Sequence, residues 1–428
     1  MSLVLKRCSY VLTPVPGKGV RVLEDVDVGI DGGVIDCIGS CSGEHRIDCR
    51  GRAAIPALGN AHTHAAMVLL RGFDDDHELF DWLRNVNAAE KLLTRSDVYF
   101  GTVIACVEMA MGGVGAFQDM YFYPDAVVEA AERVGLRVCT GPIAGLQSVR
   151  DVASWIKDSR RRPLLKPLIN AHSLYALEDD VLEEVFEVSR ELGVDVHIHV
   201  SETRDEVAMS RKRFGYPPIE AMERRGWLSD RVIAVHLNWV TSWELEYMAR
   251  RGARAVVCPS SGAKLAVGSF APVYEMMGRG IAVGLGTDGA CSANRINMLD
   301  EMRNFVLLYR HNYWDTRVKA EHAFVAATYG SYRAMGLRGG VIDVGYPADV
   351  AVLRLDHPCT FPPTRRRILS HIVYSANPFT CVEYTIVGGR IVWGPERREE
   401  LTKLVEEAEA RVRDFVQRCD ELMELHTS

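Results

Sequence analysis

The sequence lacks three features that would point to particular classes of protein. No segment approaches the run of about 18 apolar residues that a membrane-spanning helix needs, so we expect no membrane partner. Basic residues are not in excess: 50 Lys and Arg against 57 Asp and Glu give a net charge of −7, which argues against a nucleic-acid partner. The first ten residues hold no apolar run with a small-residue cleavage site, so we expect no secretory signal and a cytoplasmic protein.

Paired cysteines are also missing. The chain has 11 cysteines but no CxxC pair, whereas a zinc site built from cysteines usually needs that closer spacing. We therefore expect mostly buried thiols. Disulfides stay open as an alternative, because some intracellular proteins of hyperthermophiles contain them.

The length and the changing pattern of the chain predict its organisation. A chain of 428 residues suits a barrel of about 250 residues with a smaller module. Short strands and turns occupy both ends, whereas apolar runs alternate with amphipathic stretches from about Ile55 to Leu337, which is typical of βα units. We predict a composite β-sandwich from 1–56 and 343–396, a (β/α)8 TIM barrel over 57–342 and a C-terminal helix over 397–428.

The first candidate site residues follow an apolar run that begins at Ile55. This run ends in His62-Thr63-His64, and residues two apart on a strand point the same way. Both imidazoles would project from the carboxyl end of a strand, where barrel enzymes place their active sites. The motif alone is weak, but neutral imidazole is a common ligand of zinc and similar ions.

Four further apolar runs end in a similar way. Val196–Val200 carries His197 and His199, and Glu202 follows on the loop, where a carboxylate can shuttle protons. For His197 we favour an interior, supporting role. The other runs end in His172, His236 and Asp288.

In a barrel these strand ends meet at one rim. His62, His64, His199 and Asp288 would supply three nitrogens and one oxygen, which suits one Zn²⁺ with a position left for water. Fe²⁺ or Mn²⁺ would also fit. We interpret five other histidines as surface or core residues without a metal-binding role: His77, His311, His322, His357 and His371.

These residues, in this order, resemble the amidohydrolase superfamily. The nearer match is the branch of methylthioadenosine/S-adenosylhomocysteine deaminases and triazine chlorohydrolases, and it runs over most of the chain. The segments that carry the resemblance are Asn60–His64 with Leu70–Phe73, His199–Thr203, Cys258–Ser261 with Lys264 and Leu265, Gly284–Gly289, and Gly345–Asp349.

The resemblance implies a barrel with a flanking β-sandwich and one divalent metal ion. It also assigns roles: His62, His64, His199 and Asp288 bind the metal, and no carboxylated lysine takes part. Glu202 shuttles protons, His236 stabilises the attacking oxygen, and Asp288 can accept a proton as well. Lowering the pKa of a bound water would make hydroxide available near neutral pH.

The resemblance is less complete at the substrate end. Glu90 stands where the deaminases grip ribose hydroxyls, although the Trp-Pro that usually precedes it is absent. Trp82 matches a tryptophan that can face adenine, and His172 matches a histidine that contacts the nucleoside. Arg150 is the only arginine placed to hold an amino-acid carboxylate, so a carboxylate clamp would be weak. Asparagine is also missing before Lys264, which could loosen that loop.

We therefore predict a metal-dependent hydrolytic deaminase of a small adenine nucleoside, releasing ammonia and an inosine-type product. Methylthioadenosine, 5'-deoxyadenosine or adenosine is preferred over S-adenosylhomocysteine. The first alternative is an amidohydrolase acting on guanine, a triazine or another amino- or chloro-heterocycle. A non-catalytic binding relative is disfavoured because the whole ligand set is present. The branch is often oligomeric, which favours a homo-oligomer.

Overall fold

The structure is a computed structural model that describes residues 2–427, with side chains to residue 423. Its strands are β1 (Leu3–Val15), β2 (Gly19–Asp31), β3 (Val34–Gly39), β4 (His45–Asp48), β5 (Arg52–Pro56), β6 (Leu58–Thr63), β7 (Val114–Asp119), β8 (Arg137–Thr140), β9 (Leu165–Pro167), β10 (Ile169–Ser173), β11 (Val196–Val200), β12 (Val232–His236), β13 (Arg254–Val257), β14 (Val283–Leu285), β15 (Val350–Arg354), β16 (Val382–Val387) and β17 (Arg390–Trp393).

Helices follow most strands of the central region. They are α1 (Leu79–Glu90), α2 (Arg95–Met111), α3 (Pro124–Val134), α4 (Val149–Ser159), α5 (Asp179–Leu192), α6 (Arg204–Phe214), α7 (Pro218–Arg224), α8 (Ser242–Arg251), α9 (Pro259–Lys264), α10 (Val273–Gly278), α11 (Ala290–Ala293), α12 (Met298–Tyr313), α13 (Ala320–Val325), α14 (Ser331–Ala334), α15 (Ile368–Tyr374), α16 (Pro378–Cys381) and α17 (Arg398–Thr427). Short 3₁₀ turns span Ala65–Leu70 and Pro358–Thr360, and a π turn spans Ala326–Gly330.

Two parallel sheets form the centre of the molecule. One has the order β6-β7-β8-β9 and the other has the order β10-β11-β12-β13-β14. Every residue of β6, β11 and β12 is buried. Strands covered on both faces are expected where helices cross over between parallel strands, and this α/β arrangement is the one predicted.

Hydrogen bonds connect the two parallel sheets at both of their junctions. At one junction, Asn60 on β6 donates to Thr287 Oγ1 at 2.8 Å and accepts from Thr287 N at 3.0 Å, just after β14. At the other, Ala144 N donates to Asn170 O at 2.8 Å and Asn170 N donates to Pro142 O at 3.2 Å. The carboxyl ends of β6, β10, β11, β12 and β14 are thereby brought to one side of the molecule.

Both ends of the chain contribute to a third sheet. Its order is β17-β16-β15-β5-β1-β2-β3, with β4 paired to β1. β15 lies antiparallel to β5, with Ala351 opposite Ile55. The chain therefore leaves this sheet at β5 and returns to it at β15.

The C-terminal helix α17 begins one residue after its predicted start. Leu401, Ala408 and Phe415 are buried along one face, and the helix lies against α2. Ser428, the last residue of the predicted helix, lies outside the described residues. In the part of the chain that the structure describes, no helix is both long and apolar enough to cross a membrane.

The cysteines are mostly buried thiols, as predicted. Eight of the nine free cysteines are buried, and Cys359 is half-buried. Cys37 and Cys41 form a disulfide beside β3, which is the alternative that the sequence left open.

Candidate active site

The ends of the parallel strands bring the predicted metal ligands together. His62 is in β6 and His64 directly follows it, His199 is in β11, and Asp288 follows β14. The backbone turns sharply where these strands end: φ is 55° at Ser201, 75° at His236 and 63° at Asp288. Left-handed conformations at residues other than glycine are uncommon and cluster at functional sites.

The ring nitrogens of two histidines face one carboxylate, and a third histidine lies against the first of them. His62 Nε2 is 3.4 Å and His64 Nε2 is 3.2 Å from Asp288 Oδ1. His199 Nε2 is 3.2 Å from His62 Nε2. His62, His199 and His236 also lie close enough together to share one ion.

The other ring nitrogen of each histidine is held by a hydrogen-bond partner. His64 Nδ1 donates to Met120 O at 2.5 Å, and His199 Nδ1 donates to His172 O at 2.7 Å. Because Nδ1 carries the proton, the Nε2 lone pairs face the centre of the site. A hydrogen bond to the remote nitrogen is the usual way in which a protein orients a metal-binding histidine.

His62 is oriented by a chain of buried polar side chains. The Asn170 amide donates to the carbonyls of Asp119 and Gly141, so its oxygen accepts from His197 Nδ1 at 3.0 Å. His197 Nε2 then accepts from His62 Nδ1 at 2.9 Å. His197 thus lies behind the ligand set, which is the supporting position that we expected.

Asp288 is held on both of its oxygens. Ser261 Oγ donates to Oδ2 at 2.6 Å, and Gly289 N donates to Oδ1 at 2.8 Å. Ser261, in the Cys258–Ser261 segment of the resemblance, is a support that we did not assign from the sequence.

Burial keeps most of these imidazoles neutral. It lowers the pKa of His62 and places the pKa of His199 well below its usual range. Burial also lowers the pKa of His64, but the hydrogen bond and charge of Asp288, together with Met120 O and Asp119, outweigh it and bring that pKa to about 9. His64 is thus the ligand on which a proton competes most strongly with a metal ion, since a ligand must be deprotonated.

Glu202 lies beside this cluster with its carboxyl group buried. Its Oε1 is 3.6 Å from His236 Nε2. Burial raises the pKa of Glu202 well above its usual range, and the charges of Asp288 and Glu206 add to the effect. A raised pKa makes a carboxylate a stronger base and lets it exchange a proton near neutral pH, as a proton shuttle must.

A second buried glutamate holds the backbone of Glu202. The two oxygens of Glu206 accept from Ser201 N at 2.9 Å and Glu202 N at 2.7 Å. Thr203 Oγ1 accepts from Glu206 N at 3.2 Å and caps α6. The sequence pattern did not single out Glu206, because its role depends on a turn between strand and helix.

A cavity of about 420 Å³ opens from the cluster. It is lined by three of the predicted substrate residues, Trp82, Glu90 and His172, together with the predicted Glu202 and His236. Most of the other lining residues are apolar, among them Leu79, Leu83, Val86, Ile143, Leu146 and Leu177. This volume and lining are typical of a small-molecule site.

The cavity wall also contains buried polar groups. Trp82 Nε1 lies beside the Cys291 thiol, and the Tyr121 hydroxyl lies beside the Glu90 carboxyl group. Burial raises the pKa of Glu90, which lies nearby, to about 7. Tyr121 was missed because it follows the uninterrupted buried run of β7, where no alternation of polar and apolar residues marks the strand end.

Arg150 is not brought to the site. It lies exposed in the first turn of α4 and lines a separate cleft with Glu184, Glu187 and Glu191. The direction in which a helical residue points depends on how the preceding loop leads into the helix. The position of Arg150 in the sequence does not reveal this. The carboxylate-binding role predicted for Arg150 has no counterpart in this geometry.

The donor set suits a divalent metal ion. Once His64 is deprotonated, three imidazole nitrogens and one carboxylate oxygen turn lone pairs inward, and a cation between them offsets their mutual repulsion. Zinc, iron and manganese all accept such ligands.

Comparison with known proteins agrees with this geometry. The chain is 35% identical, over 95% of its length and 97% of the relative's, to 5-methylthioadenosine/S-adenosylhomocysteine deaminase 1 of Archaeoglobus fulgidus. It is 34% identical, over 94% and 95% of the two chains, to a 5'-deoxyadenosine deaminase of Methanothrix thermoacetophila.

A solved structure of an adenosine deaminase from Xanthomonas campestris with bound zinc superposes with a TM-score of 0.89 at 28% identity, covering 96% of this chain and 98% of that one. The model of the amidohydrolase family matches residues 53–392, a span that holds every predicted metal ligand. The resemblance found in the sequence is thus confirmed, and the chain belongs to the amidohydrolase family.

Proposed function

We propose that this protein is a metal-dependent hydrolytic deaminase of an adenine nucleoside. The observation that carries the proposal is the convergence of His62, His64, His199 and Asp288 beside a buried, protonatable Glu202. The names of the relatives support the same reaction. The products would be ammonia and an inosine-type nucleoside.

The metal ligands in this proposal are His62, His64, His199 and Asp288, and the ion is one Zn²⁺ per chain. Three protein nitrogens and one oxygen leave room for a water in the coordination of zinc. When bound, the ion supplies the Lewis acidity that makes hydroxide available near neutral pH. The zinc-bound adenosine deaminase supports this choice of metal.

The protein's own side chains then handle the protons. Glu202 takes the proton of the attacking water and delivers it to the ring nitrogen next to the carbon that bears the amino group. It next helps the amino group leave as ammonia. His236, whose pKa burial lowers to about 3, is neutral and can donate a hydrogen bond to the oxygen on which charge develops. Asp288 would accept the second proton of the attacking water as the C=O bond forms, and this proton would pass to the amino group, which leaves as ammonia.

The substrate end of the proposal rests on the cavity lining. Glu90 would accept hydrogen bonds from ribose hydroxyls, with Tyr121 beside it. Trp82 would face the adenine from the cavity wall. His172 contacts the nucleoside from the end of β10.

A small 5' substituent fits this cavity better than an amino-acid chain. None of the described residues that line the cavity is Lys or Arg, and Arg150 lies outside it. A buried carboxylate without a cationic partner is costly. We therefore favour 5'-methylthioadenosine, 5'-deoxyadenosine or adenosine, and kcat/KM should be higher for 5'-methylthioadenosine than for S-adenosylhomocysteine. A higher value for the homocysteine compound would contradict this choice.

We also propose a finer architecture. The hydrogen bonds at both junctions of the parallel sheets support a closed (β/α)8 barrel over 57–342. The sheet of both chain ends would fold over itself as a β-sandwich domain from 1–56 and 343–396. The C-terminal helix, 397–428, would be a separate element against the barrel.

The second candidate function is hydrolysis of a bare ring, such as guanine or a triazine. The half-buried Glu90 in the cavity wall argues against it, because a bare ring offers no hydroxyls for that carboxylate.

Removal and return of the metal test the proposed function. We expect a chelator to abolish ammonia release from 5'-methylthioadenosine, and Zn²⁺ to restore it. Glu202→Gln should lower kcat by about 100-fold or more while its metal content is unchanged. Full activity in the chelated protein, or in Glu202→Gln, would contradict the proposal.

A further inference from the structure

A second group of metal-binding side chains lies in the connection between β15 and β16. His357 Nδ1 is 2.9 Å from Cys359 Sγ, and Cys359 Sγ is 3.5 Å from Cys381 Sγ. All three ligand atoms lie within 4.8 Å of one another. This connection contributes no residue to the catalytic cavity.

The three side chains are held in place by their local structure. His357 caps the 3₁₀ turn Pro358–Thr360, and its Nδ1 accepts from Cys359 N at 3.3 Å. Nδ1 thus lies toward Cys359, and a metal ion bound there would replace the hydrogen bond from Cys359 N. Cys381, fully buried at the end of α16, is fixed by its N–H, which donates to Asn377 O at 2.8 Å.

A neighbouring histidine supports the same turn. His371 Nδ1 on α15 donates to Thr360 O at 2.7 Å, and Thr360 Oγ1 donates to His357 O at 2.9 Å. The turn is thereby tied to α15, and the positions of the donors do not depend on an exposed, unsupported loop.

We propose that His357, Cys359 and Cys381 bind a second, thiophilic metal ion of the zinc type. Two sulfurs that each bind zinc at about 2.3 Å lie roughly 3.8 Å apart in a tetrahedron, close to the separation found here. Binding converts both thiols to thiolates and releases two protons to solvent. His357 and Cys359 are half-buried, so a water can complete the coordination from that side.

A disulfide between Cys359 and Cys381 is the competing use of these residues. Such a bond would use two of the three donors and leave His357 only as the cap of its turn, whereas a metal ion uses all three. The ion would join the turn after β15 to the helix before β16, and so stabilise the long connection between these paired strands.

Cobalt substitution gives the most specific test. Co²⁺ bound by thiolates has a charge-transfer absorption in the near ultraviolet, which the His and Asp ligands of the catalytic site cannot produce. We expect this band in the Co²⁺-loaded full-length protein and expect Cys359→Ser to abolish it. We also expect metal content to fall from about two ions to about one per chain in that variant, with deamination retained.

Two comparisons keep this site separate from the catalytic one. Cys419→Ser, at a buried cysteine of α17, should keep both the band and the metal content. His64→Ala should remove the catalytic ion and leave the thiolate band, so a failure of the proposed function would not be mistaken for a failure here. If the Cys359 variant does not fold, the metal content and the thiolate band of the wild-type protein still decide the matter.

Three results would overturn the proposal. The first is a wild-type mass four hydrogens below that of the fully reduced chain, two of them lost at Cys37–Cys41, together with a disulfide-linked Cys359–Cys381 peptide. The second is wild-type protein in which Cys359 and Cys381 are both free thiols and only one metal ion is bound per chain. The third is an unchanged near-ultraviolet band in Cys359→Ser.

Discussion

His197 Nε2 lies 2.9 Å from His62 Nδ1, so the orientation of a proposed metal ligand depends on a histidine that does not itself face the cavity. The proton on His62 Nδ1 is fixed by this contact, which leaves Nε2 free for the metal. Asn170 fixes His197 in turn. The geometry of the site therefore depends on a column of buried side chains that runs from Asn170 through His197 to His62.

Removing this column should weaken metal binding. We expect His197→Leu to lower metal affinity by about 10- to 100-fold, the usual cost of losing a support behind a metal ligand. Competition with a chelator of known affinity measures it. His311→Ala, at an exposed histidine of α12, is the matched control. Equal affinity in His197→Leu and wild type would show that His62 does not need this contact.

Glu206 should affect turnover through Glu202. Glu206→Gln replaces one acceptor of the Ser201 and Glu202 amides with a donor, so the turn that positions Glu202 loses a hydrogen bond. We expect kcat to fall by about 10-fold with KM unchanged, since an unsatisfied buried amide costs about 1–3 kcal/mol. Asp205→Asn, exposed on the same helix, should change neither constant. A rise in KM alone would argue against a positioning role.

Glu90 should distinguish nucleosides from bare rings. Glu90→Ala removes the proposed partner of the ribose hydroxyls, and we expect kcat/KM for a nucleoside to fall by about 10- to 100-fold, the effect of one or two hydrogen bonds to a charged group. Any slow reaction with a free base should be unaffected. Asp81→Asn, exposed on the same helix, controls for a change in α1 itself. An equal loss with both kinds of substrate would place Glu90 outside ribose recognition.

Some parts of this site could be predicted from the sequence, and others could not. The period of two along β11 correctly put His197 and His199 on one side, and five strand ends predicted where the cluster would form. The support that His197 gives to His62 was not predictable in detail, because it is a contact between residues 135 positions apart. The exposed position of Arg150 depends on how α4 is entered, and the role of Glu206 depends on one turn. Local patterns do not determine either.

A group of buried charges at the amino ends of the parallel strands should contribute to the stability of the fold. Asp195 pairs with Arg254 and lies 2.6 Å from Lys166 Nζ, with its carboxyl group largely buried. Burial alone would raise the pKa of Asp195, but the hydrogen bond and charge of Arg254 together with Lys166 outweigh it, and the pKa is lowered. We expect Asp195→Asn to lower the free energy of unfolding by about 3–5 kcal/mol at pH 7.

The pH dependence of this effect has a definite sign. A carboxyl group with a lowered folded pKa contributes fully above its unfolded pKa, about 3.9, and the contribution is lost as the pH falls through the folded value. Denaturant unfolding at several pH values should therefore show wild type and Asp195→Asn converging only in strong acid. A difference that grows as the pH falls would contradict this account.

The substrate class is tested most directly by the hydrolysis products of the zinc-loaded protein with adenine nucleosides, free purine bases and triazines. The account predicts ammonia and an inosine-type product from 5'-methylthioadenosine, 5'-deoxyadenosine or adenosine, with little reaction of the bare rings. No reaction with any nucleoside, from protein that holds its metal and hydrolyses guanine or a triazine, would contradict it.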